Sequence, residues 1–272
     1  QLESVSVHES DYGQLPDLSK VSFKSDVVFV WNGTTSGVRL INADWIPVDR
    51  EGLTLCDATS AAFAMDLPWE KLDVTTFSWQ KVLGGEAAHG VIVMSPRAAE
   101  RLQEYTPRWP IPKLLRLAKD KVINESLFDG ATINTPSMLC VHDYLDALNW
   151  AKDMGGVREL WRKSSDNLQL VEEWVLQNEW IEFLAEESKN RSNTSICLKF
   201  VSQWFTAMSD KEQRKTVKEF CNILSNEHVA YDIEGYRNAP PGLRLWGGST
   251  VESSDIILLL PWLEWAYAKI KG

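Results

Sequence analysis

The chain has 272 residues, 44% hydrophobic and 24% charged, which suits a soluble globular protein of one large or two modest domains. Its net charge of −10 leaves no basic footprint and argues against a nucleic-acid partner. Cys56, Cys140, Cys197 and Cys221 stand far apart without C-x-x-C or metal-ligand spacing, so they read as small buried hydrophobes of a reducing compartment, with no metal expected.

Residues 1–25 are polar and lead into Val27-Val28-Phe29-Val30-Trp31, an unbroken apolar run that predicts a strand buried on both faces of a parallel sheet. Asn32-Gly33-Thr34-Thr35-Ser36-Gly37 follows. Small hydroxylated residues at a strand's carboxyl end suit a ligand site in an open α/β sheet, and equally a turn chosen for conformational freedom. Leu53 to Cys56 predicts the next strand and delivers Asp57 to its end, ahead of Ala58-Thr59-Ser60. Val74 to Trp79 predicts a third strand, delivering Gln80 and Lys81 just before Gly84-Gly85, and Gly90 to Ser95 a fourth. Asp57 and Lys81 are thus a crossover and a strand apart. Neighbouring strands placed this way could hold an acid and a lysine on either side of one small ligand; a salt-bridging Asp and an exposed Lys would share the same spacing.

Pro96 suits the first position of a helix over Arg97 to Tyr105. An irregular connector, Thr106 to Pro112, precedes a short basic helix near Lys113 to Lys119, and 120–133 read as a loop or hairpin. Thr135 is a good N-cap, with Pro136 in the first turn of a helix running to about Asp153. Met154-Gly155-Gly156-Val157 is the predicted hinge between a domain over 1–154 and a smaller α+β domain over 155–272. The latter is expected to hold a long amphipathic helix from Arg158 to about Trp180, a strand from Ser195 to Val201 and a helix from Lys211 to Asn226. Further strands are expected at His228 to Ile233 and Gly242 to Trp246, with a closing helix from Val251 to Lys271. Between those last two strands, Arg237 and Arg244 flank Pro240-Pro241. A rigid turn there could aim two guanidinium forks into one cleft, where arginine is suited to binding carboxylate or phosphate; ordinary surface pairing is the competing reading. The apolar run Ile256 to Trp262 is too short to span a bilayer and contains Pro261, so no membrane partner is expected. No signal-peptide pattern opens the chain, and cytoplasmic is the default expectation.

The stretch Phe77-Ser78-Trp79-Gln80-Lys81-Val82-Leu83-Gly84-Gly85-Glu86, with Asp57-Ala58-Thr59-Ser60 before it, resembles the site of class V, fold-type-I pyridoxal-phosphate enzymes, and among them the phosphoserine aminotransferases. That resemblance implies an α/β fold: the mainly parallel sheet of the cofactor-binding large domain, in part, plus a smaller C-terminal domain. It implies pyridoxal 5'-phosphate as cofactor, a homodimer, and transamination between glutamate and the phosphorylated 2-oxo acid 3-phosphohydroxypyruvate, giving phosphoserine and 2-oxoglutarate in serine biosynthesis. A pyridoxine-pathway substrate is left open. Lys81 would be the Schiff-base lysine and proton carrier. Asp57 would be the partner of the pyridine nitrogen. Thr34 and Gln80 would be cofactor contacts, Asn134 and Thr135 would reach across the dimer to the partner's cofactor phosphate, and Arg237 and Arg244 would bind the substrate's anionic groups. Many relatives carry a His before the first of these arginines; this chain has Tyr236, so a histidine contact to phosphate is not carried over.

Family members are longer at the N-terminus, and Gln1 is no initiator, so the chain is expected to lack the N-terminal part that holds the cofactor's phosphate loop and ring-stacking aromatic. The alternatives are another class V activity, such as serine–glyoxylate transamination or cysteine desulfuration, and a truncated, non-catalytic form. A desulfurase needs a reactive Cys on a mobile loop. Cys140, Cys197 and Cys221 all fall in predicted helices or a strand, which argues against that chemistry.

Overall fold

A computed structural model of the chain describes residues 4–87 and 89–272. Four strands, β1 (Val27–Val30), β2 (Thr54–Asp57), β3 (Val74–Ser78) and β4 (Gly90–Met94), form one sheet in sequential order. β1, β2 and β3 run parallel and β4 runs antiparallel to β3. The predicted mainly parallel α/β sheet is therefore present. Its register sets Val30 opposite Asp57 and Asp57 opposite Thr76, so the carboxyl ends of three parallel strands meet at one edge.

One face of this sheet is packed. Trp31, Ile46, Cys56, Ala61, Met65 and Val82 form its core. The other face is open: Val28 is 79% and Val30 54% exposed. The apolar run was expected to be buried on both sides; instead β1 alternates half-buried and exposed residues, because no described element lies over that second face.

At the opposite, amino end of β3, Asp73 ties the unit together. It is buried and accepts from Arg50 Nη2 at 3.0 Å, Thr54 N at 3.0 Å, Ser95 Oγ at 2.9 Å and Arg97 Nη1 at 2.9 Å. Ser95 is also the N-cap of α1 (Pro96–Glu104), with Pro96 in the first turn as predicted.

The connector departs from the sequence reading. Only Lys113–Leu115 forms a helical turn, of 3₁₀ type, and the rest of the expected basic helix folds into a two-residue hairpin, β5 (Ala118–Lys119) and β6 (Val122–Ile123). Asp120 and Lys121 turn it in the left-handed region at φ 51° and 66°. α2 (Met138–Asp153) is capped by Ser137, which accepts from Cys140 N, and not by Thr135. Asn134 and Thr135 stay exposed before the helix. Gly155 and Gly156, at φ 114° and 82°, then reverse the chain into α3 (Val157–Leu176).

A second core follows. β7 (Ile181–Phe183), β8 (Ser195–Phe200) and β9 (Gly242–Trp246) make an antiparallel sheet in that order. Its apolar side meets α3 and, beyond the one-turn α4 (Gln203–Thr206), α5 (Asp210–Asn226) and α6 (Ser253–Lys271), through Val171, Ile196, Leu198, Phe220, Leu243 and Leu263. α5 opens on a capping box: Ser209 accepts from Glu212 N while the Glu212 carboxylate accepts from Ser209 N. The strand expected at His228 to Ile233 does not form. His228 and Asp232 sit at φ 58° and 54°, which extended pairing cannot include, and only Glu234 bridges to Leu243.

The two cores meet along a polar seam. Asn32 Nδ2 donates to Ser60 Oγ at 2.8 Å and Thr194 Oγ1 at 3.0 Å, and Asn193 Nδ2 donates to Ala64 O at 2.9 Å. Ser195 Oγ donates to Thr34 O at 2.8 Å. These bonds tie the two cores together through the asparagine Nδ2 groups, while Asn32 Oδ1 and Asn193 Oδ1 are buried without a partner among the described residues. The start of β8 thereby fixes the loop after β1.

Candidate active site

Three loops leave the carboxyl edge of the parallel strands, and each carries a predicted residue. Thr34 follows β1, half-buried, with its carbonyl held from β8 and its hydroxyl unpaired among the described residues. Asp57 ends β2 and is exposed; its Oδ1 accepts from Thr59 N at 2.9 Å and Thr59 Oγ1 at 2.6 Å. These bonds fix the carboxylate's orientation, and no cation pairs with it among the described residues.

Gln80 and Lys81 follow β3. The Gln80 Oε1 is buried with no hydrogen-bond partner. Lys81 has no carboxylate partner among the described residues; its Nζ lies 5.6 Å from the centre of the Trp246 ring, within cation–π range. Trp246 comes from β9, so the second sheet supplies a wall beside the lysine. That wall is tightly set: a Cβ on Gly248 would lie 2.5 Å from the indole, so only glycine fits beneath it. Gly84, at φ 66°, turns the loop after Lys81.

β9 also carries Arg244, two residues from Trp246 and therefore on the same face. Its side chain is 14% exposed. The guanidinium lies 4.7 Å over the Tyr236 ring and Nη2 is 3.6 Å from Asp232, while Nε is buried without a partner. Arg237 is exposed on the turn that follows Tyr236 and has no partner for its side chain among the described residues. Arg237 and Arg244, with Arg214 of α5, line one cleft of about 460 Å³. Thr35, next to Thr34, lines a small cavity together with Tyr236 and Arg244.

The structure thus gathers Thr34, Asp57, Gln80 and Lys81 at one edge and sets Arg237 and Arg244 together nearby. Asn134 and Thr135 stand exposed ahead of α2. Sequence reasoning missed Trp246 and Arg214. Trp246 was legible only as a strand residue, two positions beyond Arg244; Arg214 looked like any helix-surface arginine.

The thiols near the site are poor nucleophiles. Burial pushes Cys56 up to about 12, and Cys197 up to about 11 despite the neighbouring Arg244 charge. Burial pushes Cys221 to about 12 as well.

No family model matches the chain. The fold is that of pyridoxal-phosphate-dependent aminotransferases. A solved phosphoserine aminotransferase from Bacillus circulans subsp. alkalophilus superimposes with a TM-score of 0.73 at 18% identity, over 96% of this chain and 65% of that one. A phosphoserine aminotransferase from Trichomonas vaginalis, solved with pyridoxal phosphate bound, superimposes with a TM-score of 0.68 at 16% identity, over 87% of this chain and 59% of that one. In sequence, the chain is 56% identical over 271 residues to the phosphoserine aminotransferase of Methanosarcina barkeri, covering all of this chain and 70% of that relative. The chain belongs to the phosphoserine aminotransferase family, a family of transaminases.

Pyridoxal phosphate is the family's cofactor, and the residues here fit it. Among the described residues, an amine without an ion pair, an amide oxygen without a partner and an oriented carboxylate without a cation are groups of the kinds that its aldehyde, ring substituents and ring nitrogen would take.

Proposed function

We propose that the chain contributes the catalytic lysine and the substrate-anion site of an enzyme exchanging an amino group between glutamate and 3-phosphohydroxypyruvate; relatives named phosphoserine aminotransferases support transamination in serine biosynthesis. When bound, the cofactor supplies an electron sink for the bond to be broken at the substrate α-carbon. Lys81 would hold the cofactor through its amine and then move the proton at that α-carbon. Asp57, oriented by Thr59, would keep the ring nitrogen protonated. Gln80 and Thr34 would contact the cofactor, and the exposed Asn134 and Thr135 would reach a partner subunit's cofactor phosphate in a homodimer. No helix among the described residues is long and apolar enough to cross a membrane.

The observation that carries the substrate reading is the arginine cleft: among the described residues the Arg237 guanidinium has no partner, Arg244 has a buried Nε unspent, and both line one space. A hydrogen bond to a charged group contributes roughly 1.5–3 kcal/mol, or roughly ten- to a hundred-fold in an equilibrium. Arg237→Ala and Arg244→Ala should each weaken the phosphorylated oxo acid by that factor with cofactor binding unchanged. The arginine that holds phosphate should lose little on an unphosphorylated analogue, whereas the one that holds carboxylate should lose on both. If neither variant discriminates against the phosphorylated substrate, phosphate is not read in this cleft.

A further inference from the structure

The turn that carries Arg237 has almost no regular structure of its own. It runs between the Glu234–Leu243 bridge and Pro240-Pro241, with Tyr236, Arg237 and Asn238 exposed. A side chain on such a turn would ordinarily be poorly aimed, since loops are the mobile part of a fold. One element grips it. Arg214 of α5 donates Nη1 to the Arg237 carbonyl at 3.1 Å and Nη2 to the Ala239 carbonyl at 3.0 Å, while its Nε donates to Asp210 Oδ2 at 2.8 Å. All three donor directions of the guanidinium fork are thus used, two of them on the backbone that presents Arg237. Asp210 lies one turn earlier on the same helix, in the first turn set by the Ser209–Glu212 capping box.

The geometry points to Arg214 as a positioning residue for substrate recognition: it clamps the Arg237–Ala239 backbone on a rigid helix, so that Arg237 enters the cleft pre-oriented. Pre-organisation of this kind reduces the cost of ordering on binding. A planar fork can hold two carbonyls at once in fixed geometry, which a lysine ammonium on a flexible stem cannot reproduce. The inference rests on the reading of the cleft as the substrate-anion site.

The test uses the whole protein loaded with cofactor and compares KM and kcat for phosphorylated and unphosphorylated oxo acids in wild type, Arg214→Ala, Arg214→Lys, Arg237→Ala and the double variant Arg214→Ala/Arg237→Ala. Arg214→Ala should raise the KM of whichever substrate Arg237→Ala weakens by about three- to ten-fold, leaving kcat and the melting temperature nearly unchanged. Arg214→Lys should recover only part of that loss. The double variant should be no worse than Arg237→Ala alone, because the clamp acts through the residue already removed. Additive losses, or complete recovery by lysine, would mean that Arg214 acts only as a further positive charge and would overturn the clamp. A uniform fall in stability and activity would also overturn it, by making the role structural. If Arg237→Ala itself has no effect, the assignment of the cleft fails, which is a separate outcome from an inert Arg214.

Discussion

Two aspartates on neighbouring strands do opposite jobs. Asp73 sits just before β3, 2% exposed in its side chain, with Arg50 and Arg97 both paired to one oxygen and Thr54 and Ser95 donating as well. Asp57 sits at the carboxyl end of β2, exposed, touched by Thr59 alone and paired with no cation among the described residues. A saturated carboxylate has nothing left to offer a ligand, whereas an oriented and unpaired one does. The sheet thus keeps its paired, buried carboxylate at one end and an unpaired, oriented one at the other, the end beyond which open α/β sheets place ligands.

Swapping the charge out at each end should break the two ends differently. Asp73→Asn removes the counter-charge of Arg50, whose side chain is only 4% exposed. Breaking a buried pair from one side costs about 3–5 kcal/mol, which chemical unfolding would read directly. Burial alone would push the Asp73 carboxyl up; bonds from Thr54, Ser95 and Arg50 outweigh it and hold it below 3.8. Its stabilisation is therefore present above the unfolded-state value near about 4 and is lost as pH falls through the lower folded value. The stability gap between wild type and Asp73→Asn should stay flat from neutral pH to about 4 and close below it; a gap that closes well above that would deny Asp73 this role.

Asp57→Asn should do the reverse. Stability should change by no more than about 0.5 kcal/mol, as for most surface substitutions. Turnover should fall on the order of 10²-fold, the usual cost of removing one preorganised electrostatic partner. Near-normal turnover would make both aspartates structural and erase the contrast.

The smallest effect concerns the thiols. With Cys56 and Cys221 pushed to about 12 and Cys197 to about 11, roughly one thiolate in 10⁴ or fewer is present at neutral pH. A disulfide reagent should leave these three unmodified in the folded protein while an amine reagent modifies lysines. Rapid modification of any of them would reopen thiol chemistry near the sheet.

The carboxyl edge was legible in the sequence because local signals agree there. Apolar runs ending in Asn32-Gly33, Asp57-Ala58 and Gln80-Lys81 mark strands and what they deliver, and the observed strands match them to within a few residues. β9 was found from its own alternation, with Gly242 and Trp246 at its ends as expected. Apart from the cap of α2, the failures share a cause in distant contacts. Nothing in Val27 to Val30 says which face will be covered. Ser137 wins the cap of α2 over Thr135 through local geometry at the helix start. β7, three residues long, exists only because β8 pairs with it. The many partners of Asp73, the indole over Lys81 and the grip of Arg214 on the Arg237 turn all join residues far apart in the chain, which no spacing rule reveals.

Lys81 is the amine proposed to hold the cofactor. Borohydride reduction of the cofactor-loaded protein, followed by peptide mapping, tests this without reference to turnover. The label should appear on the peptide containing Lys81 alone and should vanish in Lys81→Ala, which should also lose at least roughly 10²–10⁴-fold in activity with the loss of its proton carrier. A label on any other lysine, or one that persists in Lys81→Ala, would contradict the placement of the active site at this edge.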